Sequence, residues 1–99
     1  MLKKKILIIT ERRADYSKFR PLIKEIEQSS KLDYFLIVTG SHLLKEYGQT
    51  IRDIKKDGFK ITAKFQMYDK QKDDSGRGMV SALGKSIIYL SKLIDQLKP

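Results

Sequence analysis

Ile6-Leu-Ile-Ile9, running directly into Thr10-Glu-Arg-Arg-Ala-Asp-Tyr-Ser-Lys18, is the stretch that decides the fold. A continuous apolar run, bounded by lysines before it and Thr10-Glu11 after it, suits a strand buried on both faces, as in a parallel sheet. Behind it Phe19, Leu22, Ile23 and Ile26 fall at i, i+3, i+4 and i+7 and make one apolar stripe on a helix. Ser17 is the expected N-cap, which would put Pro21 near the first turn, where a missing N–H costs least. Basic and hydroxyl groups therefore stand where a strand hands over to a helix. In an open α/β sheet that junction, outside the carboxyl ends of the strands, is where ligands bind. Helix N-termini there offer unpaired N–H groups and a positive dipole end, both suited to a phosphate.

The arrangement repeats further along. Tyr34 to Val38 reads as a second buried strand, and Val38-Thr-Gly-Ser-His-Leu-Leu-Lys-Glu-Tyr-Gly48 leaves it, with Gly40 turning the chain. A short helix is predicted over Gln49 to Lys56, with Ile51 and Ile54 facing inward and Gly58 following its C-cap. Phe59, Ile61, Ala63 and Phe65 then alternate, which predicts a third strand with all four on one face. Tyr68 to Gly78 is polar and reads as a loop. Met79, Leu83, Ile87, Leu90, Ile94 and Leu97 recur every three or four residues and predict a long amphipathic helix lying across the sheet. Strand, helix, strand, helix, strand, helix implies right-handed parallel crossovers in a Rossmann-like α/β sheet with flanking helices. A sheet that ends after its third strand leaves backbone groups unpaired, so marginal stability or self-association is expected.

Composition limits what this sheet can belong to. Ninety-nine residues make at most one domain, residues 1–99, and 40% apolar with 33% charged residues is ordinary for a globular chain. No run approaches the ~18 apolar residues of a membrane span, and the apolar stretch after Met1-Leu-Lys-Lys-Lys5 is too short for a signal peptide. A cytoplasmic protein without membrane association is expected. There is no cysteine, hence no disulfide framework, thiol nucleophile or thiolate metal site. The net charge of +9 favours anionic partners. Apart from Lys3-Lys-Lys5, however, the lysines are mixed with acidic residues as on solvated helix faces, which argues against nucleic acid as partner.

Five positions carry candidate chemistry. Arg13 can hold a phosphate through two parallel charge-assisted hydrogen bonds, where the bland alternative is a solvated arginine beside Arg12. Ser17 serves either as a cap or as a hydroxyl ligand. Asp15 is expected to turn to the loop backbone, since a free carboxylate would repel a phosphate. His42, the only histidine, is either a loop residue satisfied by backbone or a contact or proton-transfer group near neutral pH. Lys18 is expected to be exposed. Gly76-Arg-Gly78 lacks the spacing of a dinucleotide fingerprint or P-loop and marks the entry to the last helix, with Asp74 or Ser75 as cap. Asp73-Asp74 has no histidine or further carboxylate at ligand spacing, so no metal is predicted.

Arg13-Ala-Asp-Tyr-Ser-Lys18 with Pro21-Leu-Ile23, then Val38-Thr-Gly-Ser-His-Leu43 with Tyr47-Gly48, then Asp57-Gly-Phe59, together resemble the start of the hydrolysing UDP-N-acetylglucosamine 2-epimerases. These are enzymes of sialic and related nonulosonic acid synthesis. The resemblance runs from Lys5 to Pro99. It implies two Rossmann-like domains of the glycosyltransferase-B type around a cleft, in a protein of several hundred residues. The chain is then expected to be an incomplete N-terminal domain, inactive alone, from a parent that forms homo-oligomers. On this resemblance Arg13 and Ser17 meet the UDP of a UDP-sugar substrate and His42 lies in the active-site cleft as a catalytic residue, with no cofactor.

The implied reaction converts UDP-N-acetylglucosamine and water to N-acetylmannosamine and UDP. Loss of the C2 proton and expulsion of UDP give a glycal, and water then adds with inversion at C2. Carboxylates are needed for acid and base work, and cationic or N–H groups for the departing diphosphate; the carboxylates are expected beyond Pro99, after a fourth strand and a glycine-aspartate-arginine segment. Glu11-Arg12 replaces the glycine-threonine pair of many relatives, so this loop departs from the family pattern. The alternatives are a free-standing α/β nucleotide- or anion-binding module without turnover, and a basic domain with salt-dependent affinity for nucleic acid.

Overall fold

The computed structural model describes residues 3–44, 50–68 and 75–99. Strand β1 (Lys4–Thr10) leads into helix α1 (Arg13–Gln28), strand β2 (Leu32–Val38) and a 3-10 turn (Gly40–Leu43). Helix α2 (Ile51–Lys56), strand β3 (Ala63–Lys64) and helix α3 (Gly76–Leu97) follow. The strands form one parallel sheet in the order β1-β2-β3. β1 pairs with β2 from Lys4 opposite Leu32 to Thr10 opposite Val38, and β3 adds two residues opposite Ile37 and Val38. The class is the predicted α/β.

Alternation along the strands sorts side chains to two faces. Ile8, Leu36 and Val38 point to the side of α1 and α2, where Tyr16, Ile23, Ile26, Ile51, Ile54 and Phe59 complete the larger core. Ile37 points the other way, to Phe65 and to Leu93 of α3. Helices therefore cover both faces, and the carboxyl ends of β1 and β2 lie side by side at Thr10 and Val38.

Several elements depart from expectation. β1 is not buried on both faces: Ile8 is buried, but Ile9 is 37% exposed and lies outside the apolar clusters. Helix α1 begins more than a turn before Ser17. Its N-cap is Arg12, and Asp15 turns its carboxylate back to accept the Arg12 N–H at 3.2 Å, so the aspartate supplies the end-group pairing assigned to the serine. Pro21 consequently sits inside the helix. Both it and Ser17 are on the exposed side, where solvent can satisfy the carbonyl that the proline leaves unpaired. The buried row is Tyr16, Ile23 and Ile26, while Leu22 is 46% exposed.

β2 starts at Leu32, two positions before the predicted Tyr34. The alternating stretch of the third strand splits between the faces: Phe59 and Ile61 pack on the α1 side, Ala63 and Phe65 on the α3 side. At Thr62 the side chain enters the ladder, accepting the Leu36 N–H at 3.1 Å while the Thr62 N–H donates to the Leu36 carbonyl at 2.8 Å. The chain changes face there, and only two residues remain as regular strand.

α2 is as predicted at its core, with Ile51 and Ile54 buried and Gly58 at φ +83 after the C-cap Asp57. Ser75 caps α3, its Oγ accepting the Gly78 N–H at 3.0 Å, so Gly76-Arg-Gly78 is the first turn. Asp73, Asp74 and Tyr47-Gly48 lie outside the described residues. The predicted stripe of α3 is only partly the one that meets the sheet. Ala82, Ser86 and Leu93 are buried, with Tyr89, Leu90 and Leu97 half-buried beside them. Met79, Leu83, Ile87 and Ile94 are exposed. The helix turns its smaller residues inward because Tyr89 stacks on Phe65 with ring centroids 4.4 Å apart and Ser86 satisfies its hydroxyl on the Ala82 carbonyl.

Candidate functional site

Two turns meet at the carboxyl end of the sheet. The Thr39 N–H donates to the Thr10 carbonyl and the His42 N–H to the Glu11 carbonyl, tying the exit of β2 to the exit of β1. Gly40 permits this approach. It has φ +64, and a Cβ there would lie 2.2 Å from Glu11 Cγ and 2.9 Å from the Glu11 carbonyl. Only glycine fits this contact. Glu11, at the departure from the family pattern, is held on its far side by the Tyr68 hydroxyl, which donates to Oε1 at 3.1 Å.

His42 has no exposed surface. Its Nε2 lies 2.8 Å from Thr10 Oγ1 and its Nδ1 2.6 Å from Thr50 Oγ1. One histidine thus joins the end of β1 to the start of α2, with both ring nitrogens engaged. Burial lowers its pKa from the usual 6.5 against the opposing pull of Asp15 and other carboxylates, which favours the neutral ring that two hydroxyls can satisfy. Direct proton transfer to a substrate requires that one of these threonine contacts be released.

Tyr16 is the hub. Its hydroxyl donates to Asp57 Oδ2, and its ring meets His42 and Phe59 edge-on at centroid distances of 6.2 and 6.4 Å. Arg20 closes the group with an ion pair to Asp57 at 3.1 Å. The three separated motifs therefore converge on one side chain: Tyr16 from the first, His42 from the second, Asp57 and Phe59 from the third. Burial, and then the bond to Asp57, raises the tyrosine pKa well above its ordinary value, so the hydroxyl remains a donor. The signal for this role was present in the sequence, since Tyr16 lies on the Ile23–Ile26 row of a helix that starts early enough.

Arg13 and Ser17 stand one turn apart on α1 and line the same groove, about 290 Å3, with Arg20, Thr50, Lys56 and Asp57 also on its walls. Both are exposed. The Ser17 hydroxyl donates to the Ala14 carbonyl at 3.0 Å and keeps its lone pairs toward solvent. Arg12 is 3.9 Å from Asp15 and Arg20 is paired with Asp57, whereas Arg13 makes no ion pair among the described residues. Asp15 faces the backbone as expected, and Lys18 is exposed. Among the described residues no group of three histidine or carboxylate side chains stands close enough to hold a metal ion. Thr10 and Thr50, which hold His42, were not singled out from the sequence; the parity of Ile6, Ile8 and Thr10 was the available sign that Thr10 points into the core.

No protein-family model matches the chain. Its sequence is 36% identical over 96 residues to a UDP-N-acetylglucosamine 2-epimerase of Neisseria meningitidis, an alignment that takes in 97% of this chain and 24% of that protein. It is 31% identical over 96 residues to a UDP-N,N'-diacetylbacillosamine 2-epimerase (hydrolyzing) of Legionella pneumophila, covering 97% and 25% respectively. A GDP/UDP-N,N'-diacetylbacillosamine 2-epimerase (hydrolyzing) of Campylobacter jejuni is 32% identical over 99 residues, all of this chain and 25% of the relative. The chain thus spans about a quarter of the length of these relatives. The similarity runs along nearly the whole chain, and the parallel α/β sheet brings the three motifs of the sequence into contact. The chain is therefore similar, over nearly its whole length, to named UDP-sugar 2-epimerases, two of them hydrolysing enzymes by name.

Proposed function

We propose that this chain supplies the diphosphate-facing loops of a hydrolysing UDP-N-acetylglucosamine 2-epimerase, which converts UDP-N-acetylglucosamine and water to N-acetylmannosamine and UDP, and that it is inactive alone. The observation that carries the reading is the Arg13 guanidinium, without an ion-pair partner among the described residues, one turn from the Ser17 hydroxyl at the α1 end of β1. A guanidinium without a carboxylate partner can clamp a phosphate with two charge-assisted bonds, and a nearby cation stabilises the leaving diphosphate as charge develops on it. His42 contributes to catalysis by fixing the β1 exit and the α2 start, through Thr10 and Thr50, around that groove. The parent acts in the cytoplasm as a homo-oligomer.

A second reading is a nucleotide-binding module without turnover, which the same groove between Arg13, Ser17 and Lys56 would serve. One titration tests the shared core of both. Amide chemical shifts of the chain, followed with UDP at low ionic strength, should move at residues 10–17 and stay put at the amino end of the sheet. Arg13→Ala should weaken the response at least tenfold and Lys5→Ala should not. Equal responses in the two variants would remove Arg13 from the site.

A further inference from the structure

The groove between α1 and α2 sets Arg13, Arg20 and Lys56 against Asp53 and Asp57 on its walls. Asp57 is already engaged. Arg20 reaches one of its carboxylate oxygens through Nε at 3.1 Å and the other through a terminal nitrogen at 3.3 Å, and the Tyr16 hydroxyl donates to the first. Such a fork neutralises the carboxylate, so Arg20 and Asp57 together offer a ligand little net charge. Asp53 stands in the first turn of α2, where the helix dipole favours a carboxylate. That leaves Arg13 and Lys56, neither of which makes an ion pair among the described residues. The balance of the groove is positive, which suits an anion.

The two cations come from different elements and differ in chemistry. Arg13 is the first residue of α1 and Lys56 the last of α2. A guanidinium is a planar fork that holds one phosphoryl group through two parallel bonds, whereas an ammonium is a compact charge on a flexible stem. At about 290 Å3 the groove is at the small end of ligand pockets, with room for the diphosphate part of a nucleotide sugar. A single phosphoryl group satisfies the fork; a second one is needed to meet the cation on the facing helix. Lys55 shares the last turn of α2 and is equally exposed, but it is not among the residues that line the groove. Lys56 also stands outside the three motifs that point to the 2-epimerases, so no motif marks it. We propose, resting on the nucleotide reading of this groove, that Lys56 is the second phosphate-binding cation, and that with Arg13 it makes the groove select a nucleoside diphosphate over a monophosphate.

Parallel amide-shift titrations of the chain with UDP and with UMP at low ionic strength test this. Wild type should bind UDP about tenfold more tightly than UMP, as one further charge-assisted contact allows. Lys56→Ala should bring UDP down to the affinity of UMP while leaving UMP nearly unchanged, and Lys56→Arg should keep the preference. Lys55→Ala removes the same charge from the same helix turn and should also keep it. Lys56 is exposed, so far-UV circular dichroism of these variants should match wild type; if Lys56→Ala does not fold, Lys56→Gln takes its place with the same expected result. Equal losses in Lys55→Ala and Lys56→Ala would trace the preference to the general field of the basic chain and overturn the role of Lys56, while a weaker response of Arg13→Ala to both nucleotides would leave the nucleotide reading standing. No response of wild type to either nucleotide would overturn both.

Discussion

At His42 burial and two threonine hydroxyls act in the same direction. The ring is without exposed surface, its pKa is lowered by that burial, and it is the only histidine of the chain. The folded state therefore binds this proton less readily than the unfolded state. Its contribution to stability is whole above the ordinary pKa of 6.5 and is lost as pH falls through that value toward the lowered one. Denaturant unfolding at pH 7.5 and 5.5 should show stability falling with acid, and His42→Gln should flatten that dependence. The same variant should be less stable at pH 7.5 by roughly 1–3 kcal/mol, because Thr10 or Thr50 loses its buried partner. An unaltered pH slope would place the titrating group elsewhere. Gly40 is the second sensitive position, since Gly40→Ala meets both a positive φ and the Glu11 side chain. Its expected cost is about 1–3 kcal/mol by thermal melting. The sequence made Gly40 legible as a turn, but not its neighbour: the contact with Glu11 joins positions 29 apart, which no local pattern records.

Between elements, the Tyr16–Asp57–Arg20 group fastens α1 to the C-terminal end of α2. Tyr16→Phe keeps the edge contacts with His42 and Phe59 and removes only the hydroxyl. A loss of roughly 1.5–3 kcal/mol is expected, as for a hydrogen bond to a charged partner. Asp57→Asn should cost less in the Tyr16→Phe background than alone, because the two groups share one bond; additive losses in the double variant would show that they act independently. In α3, Gly84 stands in open space with no atom within 4 Å of an added Cβ. Gly84→Ala should raise stability by about 0.5–1 kcal/mol through helix propensity, read as a rise in melting temperature. The existence and order of the helices were legible because apolar spacing depends only on which residues repeat. Their starts were not. Asp15 and Ser17 are both fit to satisfy a helix start, and only the geometry of the β1 exit shows that the aspartate does so.

For the molecule as a whole, a ligand that binds only the folded state must stabilise it. UDP at about 100 times its dissociation constant should add about 2.7 kcal/mol, seen as an upward shift of the melting transition that Arg13→Ala abolishes; no shift in either protein would count against the nucleotide reading. The sequence by itself determined the α/β class, the parallel order of elements, the strand-to-helix junction after β1 and the similarity to the 2-epimerases. Each of these follows from residue types at short, fixed spacings: buried runs, helical rows, and motifs a few residues long. Tertiary structure alone decided that His42 is enclosed between Thr10 and Thr50, that Tyr16 gathers three motifs, that among the described residues Arg12 and Arg20 are ion-paired and Arg13 is not, and that α3 shows its richer apolar face outward. Those outcomes depend on which surfaces compete for contact once the sheet has formed. An apolar row on a helix states that some surface is to be covered, and the packing of Tyr89 on Phe65 chose which part of α3 the sheet covers.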